Sequence, residues 1–445
     1  MAQIMTEYGL IDGCIMDGYT VYKGIPYAKP PVGERRFKAP EKPDPWEGIY
    51  HADKFADIPI QELPKPDMPV TGRFYKEFYS NKDFIPEMSE DCLYLNIWTP
   101  NDAEEKKLPV AFWIHGGGFG GGYSSELEFD GEAFCKKDVI LVTVEYRCNI
   151  FGFLAHPWLD AENERGISGN YGIFDQIAAL EWVYNNIGAF GGDPHNITIF
   201  GQSAGSMSTQ ILISSELTKD MPAKAILQSG ITCQDEFLYT PTLVEEEEIG
   251  KRMVELSGAK NLEELRSMPA EQLFAAKCRF DEEAWKMGKG LVVVPNADGY
   301  LLKAPVGDIW NEGKMKQIPY MLGSVTDDLG AEPEKVALDL PGKLHEENIL
   351  FSKKAEEVSG QPGYIYFFSR RPPGDDWGAF HSCELWYMFG TLGRCWRPME
   401  EHDYKLSEEM VTCWTNFMKT GCPESEETSE WKPYTKDREF IKEFK

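Results

Sequence analysis

The sequence predicts one α/β domain over residues 1–445, on three observations. Apolar, β-rich runs at 110–114, 139–144 and 197–200 alternate with amphipathic stretches such as 172–186. That alternation is the signature of a central, mostly parallel twisted sheet with helices on both faces. No Gly/Ser tract, internal repeat or low-complexity block divides the chain, and the Pro-dense stretch 59–69 reads as a surface loop. Finally, a serine stands at a junction between an apolar strand and a helix-like run.

That junction is Gly201-Gln202-Ser203-Ala204-Gly205, preceded by Ile197-Thr198-Ile199-Phe200 and followed by the helix-like run 206–213. Strand, sharp turn and helix around GxSxG make a nucleophile elbow, in which the serine hydroxyl is held out above the sheet edge. The glycines allow the close backbone approach that the turn needs. A second element supports it. His115-Gly116-Gly117-Gly118-Phe119 closes the run 110–114, and an HGGG loop after an early strand supplies backbone N–H groups for the oxyanion formed in acyl transfer. The expected donors are Gly117, Gly118 and Ala204.

The same loop admits a rival reading. Gly116, Gly118 and Gly121 spell GxGxxG, and Glu145 ends the next strand-like run, as in a dinucleotide-binding fingerprint. A pyrophosphate site needs a helix opening on those glycines, whereas Tyr123-Ser124-Ser125-Glu126 is a poor helical start. It also leaves the GxSxG unexplained.

Composition narrows the partners. With 73 acidic and 45 basic residues the net charge is −28, which disfavours nucleic acid and anionic membranes and repels anionic substrates. The acidic run 245–248 reads as a solvated helix face, not a metal site. Ten cysteines without CxxC spacing suit reduced, buried thiols in a cytoplasmic protein. Residues 1–10 lack the pattern of a secretory signal, and no apolar run reaches membrane-spanning length. Asn196-Ile197-Thr198 matches a glycosylation acceptor, expected to be a coincidence in a cytoplasmic chain, although secretion after removal of a signal stays open.

A serine nucleophile needs a general base, and His serves near neutral pH. In the order Ser, acid, His that accompanies such an elbow, the candidates are His345, His381 and His402. His345 and His402 lie in polar runs that read as exposed helix. His381 stands in a Gly-bearing loop between an apolar strand and an apolar helix, the best context of the three. The acid belongs at the end of a strand between Ser203 and His381. The run 320–325 is such a strand, and either Asp327 or Asp328 could serve.

On these residues the chain resembles the type-B carboxylesterase family, which includes carboxylesterases and cholinesterases, and is closest in character to bacterial para-nitrobenzyl-type esterases. The likeness covers nearly the whole length. It begins at Val21-Tyr22-Lys23-Gly24-Ile25-Pro26-Tyr27-Ala28, Pro30-Pro31-Val32-Gly33-Glu34 and Arg36-Phe37. It continues through Ser89-Glu90-Asp91-Cys92-Leu93-Tyr94-Leu95-Asn96-Ile97, the HGGGF loop, Tyr146-Arg147 before Gly152-Phe153, and Gly169-Asn170 before Asp175-Gln176. It ends with Phe190-Gly191-Gly192-Asp193-Pro194, the GxSxG segment and Gly378-Ala379-Phe380-His381-Ser382-Cys383-Glu384-Leu385.

The resemblance implies an α/β-hydrolase fold and hydrolysis of small uncharged carboxylic esters through an acyl-enzyme, without metal or cofactor. It implies Ser203 as nucleophile, His381 as base, and Gly117, Gly118 and Ala204 as oxyanion hole. Asp328 stands in the register of the acid, usually a glutamate followed by glycine, where this chain has Leu329. Being one methylene shorter, Asp328 requires its loop to approach His381, with Asp327 as the fallback. Gln202, Ser229 and Glu384 are implied as supporting residues around the triad. Arg36–Glu90 and Arg147–Asp175 are implied structural ion pairs. Residues 82–88 hold Phe84 but no Trp, and Gln202 replaces the glutamate of cholinesterases, so selection of quaternary ammonium is not expected. The interval from Asp328 to His381 is shorter than in typical members, which implies either a more open site or residues missing from this sequence. Feruloyl-type aromatic esters are the nearest variant. A non-catalytic, cholinesterase-like adhesion protein would lack the serine or histidine that this chain retains.

Overall fold

The computed structural model describes residues 2–68, 72–234, 239–287, 291–338 and 342–445. Strands drawn from nearly the whole chain meet in one sheet. They are β1 (Ala2–Thr6), β2 (Gly9–Ile15), β3 (Tyr19–Pro26), β4 (Ile49–Ala52), β5 (Tyr94–Pro100) and β6 (Leu108–Ile114). β7 (Ile140–Val144), β8 (Gly192–Gln202), β9 (Pro222–Gln228), β10 (Tyr320–Val325), β11 (Tyr364–Phe368) and β12 (Ile441–Phe444) complete it. The spatial order is β1-β2-β3-β5-β7-β6-β8-β9-β10-β11-β12, with β4 beside β2. From β7 to β12 every pairing is parallel, and the β1, β2, β3, β5 and β7 neighbours are antiparallel. β6 lies at the centre, with Phe112 between Val142 and Ile199.

The β6 side chains show why this run is a strand. All seven are buried, as in a parallel sheet covered on both faces. Val110, Phe112 and Ile114 enter one core, while Ala111 and Trp113 enter the other. Helices Tyr171–Asn186, Ala204–Ser214 and Lys343–Ser359 contribute Ile177, Ile211 and Phe351 to the first core. Helix Glu401–Thr420 brings Met410, Trp414 and Phe417 to the second. The two expected ion pairs form inside this frame. Arg147 forks onto Asp175 at 2.7 Å through Nε and Nη2, and Arg36 Nε reaches Glu90 at 2.7 Å.

Two local expectations need correction. The stretch 59–69 is not simply a surface loop. Pro59 and Gln61 are buried, and the Gln61 amide bonds the backbone of Gly122; Pro69 lies outside the described residues. The run 245–248 is only partly a solvated face, because Glu246 is buried. Thr242 and Glu245 form a reciprocal capping box, which starts the helix Leu243–Ser257 at that point. The resulting phase puts Glu246 on the inward face with Gly250, Met253 and Val254. Burial, with a smaller contribution from Glu245, pushes the Glu246 carboxyl up to about 9. The Asn196-Ile197-Thr198 acceptor pattern lies within β8, and Thr198 is buried, unlike a loop acceptor.

Candidate active site

The C-terminal ends of β6, β8, β10 and β11 carry the segments holding the candidate residues, which is where open parallel sheets place their sites. β8 stops at Gln202, and the helix Ala204–Ser214 begins immediately after Ser203. Ser203 has φ 56° and ψ −127°, a costly conformation for a residue with a Cβ. The flanking glycines contribute through proximity. A Cβ on Gly205 would lie 2.0 Å from the Ile114 carbonyl, and one on Gly201 would lie 2.4 Å from Gly205. Ser203 N–H donates to Gln228 O at 2.9 Å, tying the elbow to β9.

The loop after β6 bends through three consecutive left-handed residues, Gly117 (φ 98°), Gly118 (φ 62°) and Phe119 (φ 60°). Gly117 O accepts from the N–H groups of Gly120 and Gly121 at 3.1 and 3.2 Å. The N–H groups of Gly117, Gly118 and Ala204 have no acceptor among the described residues. All three are therefore available to an oxyanion. Leu291 flanks them, with Cδ2 2.9 Å from where a Gly118 Cβ would stand.

The dinucleotide reading fails on two points. No helix follows Gly121 until Glu132–Cys135. Glu145 is turned into the protein, where Oε1 accepts from Ser124 N–H and Oγ at 2.7 Å each. Beneath the loop, His115 stacks on Tyr146 with ring centroids 4.3 Å apart and hydrogen-bonds Gly116 O through Nδ1 at 2.9 Å. Burial lowers the His115 imidazole to about 4, partly offset by that bond, so it is neutral at physiological pH.

His381 lies in the loop between β11 and the short helix Leu385–Met388. Its Nδ1 is 2.6 Å from Asp328 Oδ1. Asp328 Oδ2 accepts from Ser229 Oγ at 2.6 Å and from Val325 N–H at 3.1 Å, and Oδ1 accepts from Leu329 N–H at 2.9 Å. Burial opposes ionisation of Asp328. The His381 charge and hydrogen bond, with those from Ser229 and Val325, outweigh it and hold the carboxyl below its ordinary value. Asp327 has a different task. Its Oδ2 accepts from Ala379 N–H and its own N–H donates to Ala379 O, both at 2.9 Å. Those two bonds tie the His381 loop to the end of β10.

The other candidates separate cleanly. His345 is not on an exposed face: it is buried, with Nδ1 3.2 Å from Ser324 Oγ and its ring edge-on to Phe367. Burial lowers it to about 4. His402 is exposed and contacts Lys445 O at 2.7 Å. Gln202 Nε2 stands 3.2 Å from Nε2 and 3.4 Å from Nδ1 of His381. An atom nearly equidistant from both ring nitrogens lies over the ring face, not along either lone pair. Ser203 Oγ makes no hydrogen bond to His381 here. Glu384 is buried near the pair without touching it, accepting from Gln228 Nε2 at 3.4 Å. Burial, reinforced by the Asp328 charge and countered by His381, pushes its carboxyl up to about 7.

Several supporting residues carried no recognisable signal in the sequence. Arg397, inside the protein, bonds Glu77 at 3.0 Å and Asp375 at 2.9 Å and lies over the Phe380 ring. Phe380 itself stacks on Trp377 at 3.8 Å. This column braces the residue immediately before His381. Close to the loop, Glu126 and Glu128 are buried, and Tyr79 Oη donates to Glu126 at 2.8 Å.

These buried carboxyls give stability a defined pH dependence. Burial is the largest cause in each, and it raises Glu126 to about 7, Glu384 to about 7, Glu145 to about 8 and Glu246 to about 9 from an ordinary 4.5. The native state keeps protons that the unfolded chain has released. Stability present below the ordinary value is therefore lost as pH rises through the folded values. The thermal midpoint should fall between about pH 5.5 and 9, and Glu145→Gln should flatten its slope below about pH 8. A midpoint that rises over this interval would contradict the assignment.

The carboxylesterase family model matches residues 1–347 and 345–444. The para-nitrobenzyl esterase of Bacillus subtilis (strain 168) is 33% identical over 97% of this chain and 92% of its own length. The fumonisin B1 esterase of Sphingopyxis macrogoltabida is 31% identical over 98% of this chain and 85% of its own length. Among solved structures, a thermophilic PNB esterase superposes with a TM-score of 0.84 at 30% identity, covering 99% of this chain and 95% of that one.

Proposed function

The chain belongs to the carboxylesterase family and hydrolyses carboxylic esters, and from that premise we propose that Ser203 is its nucleophile, His381 its general base and Asp328 the acid. Gly117, Gly118 and Ala204 are the oxyanion hole. The observation that carries this reading is the 2.6 Å Asp328–His381 bond, made by loops that leave the same sheet edge as the Ser203 elbow. Asp328 keeps the imidazole proton on Nδ1, which leaves Nε2 to take the serine proton. As substrate fills the site, the hydroxyl comes into hydrogen bonding with Nε2, a contact that free enzymes often leave open.

Ser203 Oγ then attacks the ester carbonyl, and the three N–H groups receive the charge on its oxygen. His381 passes the proton to the departing alcohol. Water repeats the sequence on the acyl-enzyme and releases the acid. The helix Ala204–Ser214 adds the positive end of its dipole at the same point.

Small, uncharged esters are the proposed substrates. The net charge of −28 and the apolar Leu291 beside Gly118 favour them over anionic ones. Among the described residues no helix is long and apolar enough to cross a membrane. All ten cysteines are free thiols and six are buried, which supports a cytoplasmic setting.

The test is a panel of alkyl, para-nitrobenzyl and feruloyl esters of graded acyl length, with an organophosphonate as active-site titrant. Stoichiometric labelling at Ser203, a burst of alcohol and preference for short neutral acyl groups are expected. Turnover confined to carboxylate-bearing or feruloyl esters would overturn the substrate assignment, and labelling elsewhere would overturn the site.

A further inference from the structure

We propose that Gln61 is a positioning residue for the oxyanion hole, clamping the far end of the 115–122 loop and thereby fixing the direction of the Gly117 and Gly118 N–H groups. The inference rests on the assignment of those groups as oxyanion donors.

Six of the seven residues at 116–122 are glycine. Such a chain has the greatest backbone freedom and almost no side chains of its own to restrain it. Oxyanion stabilisation nevertheless depends on donors that are already in place when charge develops. The turn closed by Gly117 O does not by itself fix the loop's direction, and side chains from outside add ties, three of which bear on its far end. Gln61 uses both ends of its amide on one residue: Oε1 accepts from Gly122 N–H at 2.7 Å and Nε2 donates to Gly122 O at 3.0 Å. Gly121 passes so close that a Cβ there would lie 2.5 Å from Gln61 Oε1.

Asn149 provides the second tie, donating its N–H to Phe119 O at 2.6 Å and Nδ2 to Gly120 O at 3.2 Å. The Phe119 ring, packed edge-on against Phe153, is the third.

The clamp is itself anchored. Gln61 Nε2 also donates to Pro59 O at 3.1 Å, and Asn149 Nδ2 donates to Ile60 O at 2.8 Å. Ile58 pairs with the backbone of Glu87 and Ser89 at 2.8 and 2.9 Å. The next residue, Glu90, is locked by Arg36. A continuous set of bonds therefore runs from a nearly buried ion pair to the oxyanion loop, and Gln61 is its last link. Gln61 touches no reacting atom. It acts only through the loop.

The test compares Gln61→Ala and Gln61→Glu in the full chain, using a para-nitrophenyl ester and an aryl trifluoromethyl ketone. The ketone adds to the nucleophile and places its oxyanion in the same hole. In Gln61→Ala, kcat should fall roughly 10- to 100-fold with little change in KM, and affinity for the ketone should fall in parallel. In Gln61→Glu the protonated carboxyl can donate and accept like the amide, whereas the carboxylate can only accept. Its kcat deficit should therefore narrow as pH falls. Unchanged kcat, or a rise in KM alone, would overturn the clamp.

If Gln61→Ala does not fold, Gln61→Met provides the same readout. Methionine keeps the length of the side chain and removes both amide bonds to Gly122, and wild-type kcat and ketone affinity there would overturn the proposal equally. Ser203→Ala separates the two levels. Activity surviving that change defeats the underlying site assignment; activity abolished by it but untouched in Gln61→Ala defeats only the clamp.

Discussion

Ser203→Ala is expected to lower kcat for ester hydrolysis by about 10⁵- to 10⁶-fold, the scale seen when a triad serine is removed. The residual rate would come from substrate binding and the remaining oxyanion donors, which the substitution leaves in place. KM should change little, because the hydroxyl contributes to the transition state more than to binding. Nothing in the packing predicts unfolding. Alanine keeps the Cβ beside Gly116, and the Ser203 backbone bonds to Gln228 and Met207 do not involve the side chain. The strained φ of 56° gives a second, independent readout. Ser203→Gly can adopt that backbone without a Cβ penalty, which is worth on the order of 1–3 kcal/mol against the extra entropy of an unfolded glycine. The glycine variant should therefore unfold at a higher temperature than the alanine variant while being equally inactive. Kinetics with a chromogenic ester and a thermal melt of the two proteins measure both claims. Hydrolysis within about a hundredfold of the parent would remove Ser203 from the mechanism.

What the sequence disclosed about this site follows how local each feature is. The elbow is legible because a strand, two close-packing glycines and a helix occupy consecutive residues, and the β6 loop is legible for the same reason. His381 required only the recognition of a loop between apolar runs. Asp327 and Asp328 could not be separated that way. What distinguishes them lies 52 and 53 residues away, where the Ala379 backbone bonds one carboxylate and His381 the other. His345 and Glu246 differ from the pattern of their surroundings for a related reason. Both lie in polar runs, but helix phase turns each inward, against Phe367 and Ser324 in one case and beside Met253 and Val254 in the other. Gln61 had no periodicity to announce it, being an irregular segment whose meaning lies in a backbone 61 residues further along. The Arg397–Phe380–Trp377 column likewise depends on tertiary contacts alone.

Asp328→Asn is expected to lower kcat by about 10⁴-fold, and Asp327→Asn far less. The difference follows from the donors around each group. Asp328 Oδ2 receives Ser229 Oγ and Val325 N–H. An asparagine must keep its oxygen at that position to satisfy the Val325 N–H, since the Ser229 hydroxyl can turn to donate or accept. Its NH₂ then replaces Oδ1, facing His381 Nδ1 and the Leu329 N–H that Oδ1 now accepts. An NH₂ donor there fixes the imidazole proton on Nε2, so the ring offers Ser203 a proton when it should accept one. The alternative flip restores the His381 contact but sets an NH₂ against the Val325 N–H in a buried site, a penalty of about 1–3 kcal/mol for the unsatisfied group. Either orientation is defective. At position 327 the carboxylate accepts from Ala379 N–H, which an asparagine oxygen does equally well. Parallel measurement of kcat and of the phosphonylation rate for the two variants discriminates them, since both steps need the same base. Should Asp327→Asn prove the more damaging, the acid is Asp327, and the 2.6 Å contact of Asp328 with His381 is structural.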